Sequence, residues 1–276
     1  MSISTLVTIL AAGSLLADST PVWDDLKTTW GPTILNAFNP QPRTVQDAEK
    51  GGFKLVGSAE CGGTGAYHGI AYVKDEDYSL TLLYDKNGFI AGIQNGITKE
   101  IAQQIGYPHK LLQPPYVFFD GRYVISAYFT DPSKICTVGR TQEEFEVEGT
   151  GTDLWLQTGT TPSEVTLIPK EQKNLNGTKW VENKCVYSMG THYWYDVKDD
   201  MDCAAFYPVF LLYNDGKLNA FGWHMLADLS SPNYEHFLVS IIAGFLGDVP
   251  QCAYTVTPTV SSIHVYLTAK PLLNFC

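Results

Sequence analysis

Placing Cys61 over Cys185 lays one half of this 276-residue chain on the other, and that internal repeat restricts the fold more than any other sequence feature. The first copy reads Gly52-Phe-Lys-Leu-Val, then Cys61, His68 and Val73-Lys74-Asp75. The second reads Gly177-Thr-Lys-Trp-Val, then Cys185, His192 and Val197-Lys198-Asp199. Farther on, Leu82-Leu83-Tyr84 before a turn at Gly88 answers to Leu211-Leu212-Tyr213 before a turn at Gly216. Tyr128-Phe-Thr130 before Cys136 answers in the same way to Tyr266-Leu-Thr268 before Cys276. The period is well above the roughly 20 to 50 residues of solenoid repeats, so the pattern predicts a duplicated domain and not an array.

Local signals give each copy the same order of elements. Residues Tyr78–Tyr84 and Phe89–Gln94 read as strands joined by a glycine turn, a β-hairpin. A short helix is predicted over Thr98–Ile105, stopped by Gly106, before a strand over Tyr123–Thr130. In the second copy, strands over Val209–Tyr213 and Leu218–Trp223 flank the turn at Gly216. A helix is predicted over Asn233–Leu246, with Ser231 as N-cap, Pro232 at the first helical position and Gly247 at its end. Ile263–Thr268 is the closing strand. Between the copies, Thr141–Glu148 reads as an acidic helix and Asp153–Gln157 and Val165–Ile168 as strands. The expected fold is α+β: an internally duplicated, mostly antiparallel sheet with short helices on one face, in two pseudo-symmetric disulfide-stapled lobes. The lobes are expected over 18–145 and 146–276, with their boundary near Gly139 to Thr150.

Residues 1–17 form an uncharged apolar run of signal-peptide length, too short to span a bilayer, which predicts cleavage after Ala17 and a secreted, extracellular product. Six cysteines in such a chain predict three disulfides. Of the possible pairings, the repeat selects Cys61–Cys136 and Cys185–Cys276, leaving Cys203–Cys252. No Cys-x-x-Cys pair suggests a zinc ribbon. Asn176-Gly-Thr178 is a glycosylation acceptor. A net charge of −11 argues against nucleic acid, because phosphate binding needs clustered Lys and Arg. No segment is long and apolar enough to predict membrane insertion, and the mature chain is expected to be soluble.

For chemistry, the matched His68 and His192 are the first candidates. Two imidazoles facing each other across a pseudo-two-fold axis would bind a transition metal or serve as acid and base. The competing reading is a core histidine in each lobe. The acidic groups Asp75-Glu76-Asp77 and Asp199-Asp200-Met201-Asp202 lack the spacing of a calcium loop and read as solvated turns. Motifs for serine hydrolases, zinc proteases and phosphate-binding loops are missing. Tyr67, Tyr193, Trp194, Tyr195 and Trp223 are expected to line an aromatic cleft, although Trp194 and Tyr195, as strand neighbours, must face opposite ways. The function expected is a secreted, disulfide-bonded glycoprotein binding a small molecule or glycan in an aromatic groove between the repeats. Its rivals are a secreted enzyme using His68 and His192, with or without a metal, and an extracellular matrix component. No cofactor is specified by the sequence.

Overall fold

The computed structural model describes residues 22–31, 37–108, 116–247 and 249–275. The expected signal segment 1–17 and Cys276, and with it the Cys185–Cys276 bridge, lie outside the described residues. In chain order the strands are β1 (Lys27–Thr28), β2 (Asn39–Pro40), β3 (Phe53–Leu55), β4 (Ile70–Lys74), β5 (Thr81–Tyr84), β6 (Ile90–Thr98), β7 (Val117–Phe119) and β8 (Arg122–Tyr128). They continue with β9 (Leu154–Gln157), β10 (Val165–Ile168), β11 (Trp180–Val186), β12 (Gly190–Tyr195), β13 (Val209–Asn214), β14 (Lys217–Met225), β15 (Glu235–Leu238) and β16 (Thr259–Tyr266). The helices are short. Lys99–Ile105 is capped by the Thr98 side chain and ends at the left-handed Gly106. Gln142–Glu148 opens with a Thr141/Glu144 capping box.

The strands form two eight-stranded antiparallel sheets. The first runs β3-β4-β5-β6-β8-β9-β10 with β7 also on β8, and the second runs β11-β12-β13-β14-β16-β1-β2 with β15 also on β16. The two follow one pattern, except that the last two strands of the second sheet come from the chain's beginning. One irregularity is shared, with register shifts between Leu83 and Tyr84 and between Leu212 and Tyr213, while a further shift between Glu182 and Cys185 belongs to the second sheet.

Alternation along the strands gives each sheet two apolar faces. The inner faces share one core, with Leu82, Ile93, Ile125 and Leu154 from the first sheet and Leu211, Phe221, Ile263 and Val265 from the second. Each such side chain stabilises by about 1.5 to 3 kcal/mol on burial. The outer face of the first sheet carries Ala71, Leu83, Val117, Val124 and Tyr128 beside the Cys61–Cys136 disulfide. That of the second carries Trp194, Phe210, Leu212 and Tyr266 beneath Val239, Ile242 and Leu246, with the Cys203–Cys252 disulfide at the same cluster. Helices on one face of a sheet were the expectation; the inner faces instead cover each other. The helix expected over Asn233–Leu246 is a strand, Glu235–Leu238, followed by one turn at Val239–Ile242. Pairing with β16 satisfies its backbone and outweighs the local signals for a helix.

Candidate functional site

The sheet registers decide which residues of the two sheets occupy equivalent places. Gly69 and Gly190 mark one such place: φ is +111° and +107°, and an added Cβ would meet the carbonyl oxygen of Tyr84 and of Tyr213 respectively. Two residues on, Ala71 sits opposite Leu83 and His192 opposite Leu212. The place of His192 is therefore matched by Ala71 and not by His68. Eight residues lead from Cys61 to Gly69 but only five from Cys185 to Gly190, so counting from the cysteines misaligns the strands by three.

His68 lies just before β4 on the outer face of the first sheet. It is half-buried, its backbone N–H donates to the Tyr128 hydroxyl at 3.1 Å, and burial lowers its imidazole pKa. Neighbouring Tyr67 packs its ring edge-on against Phe119, and burial raises its phenol pKa. His192 lies on the outer face of the second sheet, its ring 5.7 Å from that of Phe210. Both sheets and their shared core separate the two histidines, and no common site forms between them.

The five aromatic residues do not share one surface either. Tyr193, Tyr195 and Trp223 face the inner core, where Tyr193 donates to Glu182 at 2.6 Å and accepts from Gln172 at 2.9 Å. Burial pushes the Tyr193 phenol up to about 12. Trp194 faces outward, as its alternation with Tyr195 requires.

What the outer face of the second sheet does gather is a histidine cluster. His192 on β12, His224 on β14 and His264 on β16 line a cavity of about 20 Å³ with Trp194, Phe210 and Ser262, roofed by Phe237, Ile242 and Phe245. That is room for roughly one water molecule. The three imidazoles are at most 4% exposed. His192 Nδ1 donates to the Lys184 carbonyl at 3.0 Å, and His224 Nδ1 shares a 2.6 Å hydrogen bond with the Ser262 hydroxyl. His264 Nδ1 donates to both carboxylate oxygens of buried Glu235, at 2.9 and 2.8 Å. Glu235 also accepts the backbone N–H of Trp30 at 2.6 Å, which ties the cluster to the chain's N-terminal strands. Burial, reinforced by the neighbouring His264, lowers both His192 and His224 to about 3, so both are neutral at physiological pH. The Nε2 atoms of His224 and His264 are buried without a partner. Each such atom costs about 1 to 3 kcal/mol, which a ligand that hydrogen-bonds it would recover.

Phe210 holds the arrangement open. Its ring lies over Gly222 and 4.9 Å from that of His264, while the rings of His192 and His264 are 6.3 Å apart. Among the described residues no group of three or more His, Cys, Asp or Glu is gathered at metal-binding spacing.

The first sheet supplies an internal comparison. Ala71, Gly96 and Ser126 occupy the places of His192, His224 and His264, and Val117 pairs with Val124 where Glu235 pairs with Ser262. Sequence reading found His192 and Trp194 but missed His224, His264, Ser262 and Glu235. Strand parity was the available signal, since His264 and Ser262 must share a face of β16. No protein-family model, curated protein or solved structure matches this chain.

Proposed function

We propose that this protein is a secreted, disulfide-bonded binding protein that takes a small hydrogen-bonding ligand into the histidine cavity, entering beneath Phe237, Ile242 and Phe245. One observation carries the reading: of two matched sheet faces, only one sets imidazoles on three of its strands around a cavity, while the other has His68 alone, just before β4. Ala71, Gly96 and Ser126 serve the same backbone frame in the first sheet, so the fold does not need histidine there. The reading includes an internal duplication, supported by the common strand order, the paired register shifts and the matched glycines. Secretion is supported by the disulfides and by exposure of Asn176, the residue that would carry a glycan.

The test is a ligand screen by thermal shift and calorimetry on the wild type, His192→Ala and His264→Ala, with Ser126→Ala as the control on the matched face. A ligand of this site raises the melting temperature of the wild type and of Ser126→Ala, and loses affinity in both histidine variants. Undiminished binding to folded His192→Ala and His264→Ala would remove the site from the cavity. A second reading, an acid–base enzyme, is favoured by the Glu235–His264 pair, in which a carboxylate orients an imidazole. Turnover abolished by His264→Ala would select it over simple binding.

A further inference from the structure

The segment that closes the cavity differs in kind from what it covers. From Phe237 to Gly247 it contains no charged or titratable side chain, while three imidazoles lie directly beneath. Its first strand is held to β16 by the Leu238–Thr259 pairing. Its far end hangs on β11, where Lys184 Nζ donates to the Ala243 carbonyl and the Asn183 side-chain oxygen accepts the Gly247 N–H at 2.6 Å. Lys184 therefore takes part twice, since its own carbonyl accepts from His192. Phe237 and Phe245 are half-buried, and Leu238 and Ile241 beside them are exposed.

The charge balance under the roof is lopsided. The ionisable groups facing the cavity are His192 from β12, His224 from β14, His264 with the neighbouring Tyr266 phenol from β16, and Glu235 from β15. His236 of β15 turns away to pair with Asp228 at the surface. Glu235 is the one carboxylate among these groups, and His264 already engages both of its oxygens. An imidazolium at His192 or His224 would have no counter-ion, because His264 already engages both Glu235 oxygens, and room for no more than about one water.

We infer that the roof is an acid-operated latch, closed over neutral His192 and His224 and released when their protonation puts positive charge beneath it that Glu235, already engaged by His264, does not balance. The inference rests on the binding reading only in treating the roof as the entrance. On acidification the packed face solvates its new charges by lifting Phe237, Ile242 and Phe245, because breaking two hydrogen bonds to β11 frees that end. The first sheet has no such response, having Ala71, Gly96 and Ser126 in the three places.

Hydrogen exchange of the ligand-free protein tests this without any ligand. Protection of 237–247, corrected for intrinsic rates, is compared between pH 7.5 and 4.5, with β4 and β5 as the internal reference. Protection of the roof is expected to fall by roughly tenfold or more while β4 and β5, which open only with the whole fold, remain the better protected at pH 4.5. The fall should shrink in His192→Gln and in His224→Gln. An unchanged roof, or a roof as well protected as the reference at pH 4.5, overturns the latch, and the wild type alone decides this if neither variant folds. An undiminished fall in either variant that folds also overturns it. Because the measurement uses no ligand, its failure leaves the screen at neutral pH free to succeed.

Discussion

The outer faces of the two sheets start from the same backbone and reach opposite chemistry. In the first, Thr81 lies opposite Gln94, and the Gln94 amide donates to Ser126 at 2.8 Å within the sheet. In the second, the same two places hold Phe210 and Gly222, and the ring lies over the glycine between His192 and His264. The first face satisfies Gln94 and Ser126 within the sheet, although His68 Nδ1 and Trp155 Nε1 on the same side are buried without a partner. The second buries three imidazoles and leaves His224 Nε2, His264 Nε2, Trp194 Nε1 and the Tyr266 hydroxyl unsatisfied. The backbone frame of the first sheet does without histidine at the three places.

The sharpest way to break the comparison is to fill the space that Phe210 needs. A Cβ at Gly222 would lie 2.3 Å from Phe210 Cζ and 2.4 Å from the Ile263 carbonyl oxygen. The second is backbone in a central strand and cannot move aside. Gly222→Val is expected to destabilise by about 4 kcal/mol or more, whereas Gln94→Ala at the matched place costs about 1 kcal/mol for a lost hydrogen bond. Denaturant titration of the two variants measures the difference, and equal losses would void the register equivalence.

Acidification comes next in size. His192 and His224 accept protons near 6.5 when unfolded but only near 3 when folded, so the unfolded chain binds more protons in between. Their contribution is fully present above pH 6.5 and drains away as the pH falls toward 3. From pH 7.5 to 5.5 the loss amounts to about 2 to 3 kcal/mol for the pair. Denaturation midpoints of the wild type and His192→Gln across this range check the sign, since the variant should lose less.

The smallest of these effects concerns the support behind His264. Glu235→Gln keeps the shape but removes the carboxylate that receives two histidine contacts and the Trp30 N–H. A loss of about 1 to 2 kcal/mol is expected, with fraying of β1 from β16 visible in hydrogen exchange. Val117→Thr, at the matched place in the first sheet, should leave β9 on β8 undisturbed. Equal fraying of both sheets would show that Glu235 plays no special part.

Hairpins and one helix stop were readable because their causes are local. Glycines at 88 and 216 supply the turns and Gly106 ends the Lys99–Ile105 helix, whereas Ser231, read as an N-cap, leads into a strand. Pairing Cys61 with Cys136 and Cys203 with Cys252 also followed from the repeat. The site was far less readable. His68 and His192 agree in distance from a cysteine, yet the chain from cysteine to strand crosses a loop whose length differs between copies. His192, His224 and His264 meet only because β12 to β14 and β16 lie side by side, with 32 and 40 residues separating successive members in sequence.

By itself the sequence determined the two-residue period of its strands, the turns that reverse them and the place of two short helices. These depend on neighbours within a few residues. Tertiary structure alone decided that the inner faces cover each other, and that Lys27–Thr28 complete the second sheet against Tyr266 and Val265. A two-residue strand carries no pattern of its own and exists because β16 offers it unpaired backbone groups. Glu235–Leu238 is extended for the same reason, its pairing with Ser262 to Thr259 outweighing the local signals for a helix. That pairing sets Glu235 against His264, so the chemistry of the site belongs to contacts that no stretch of sequence contains.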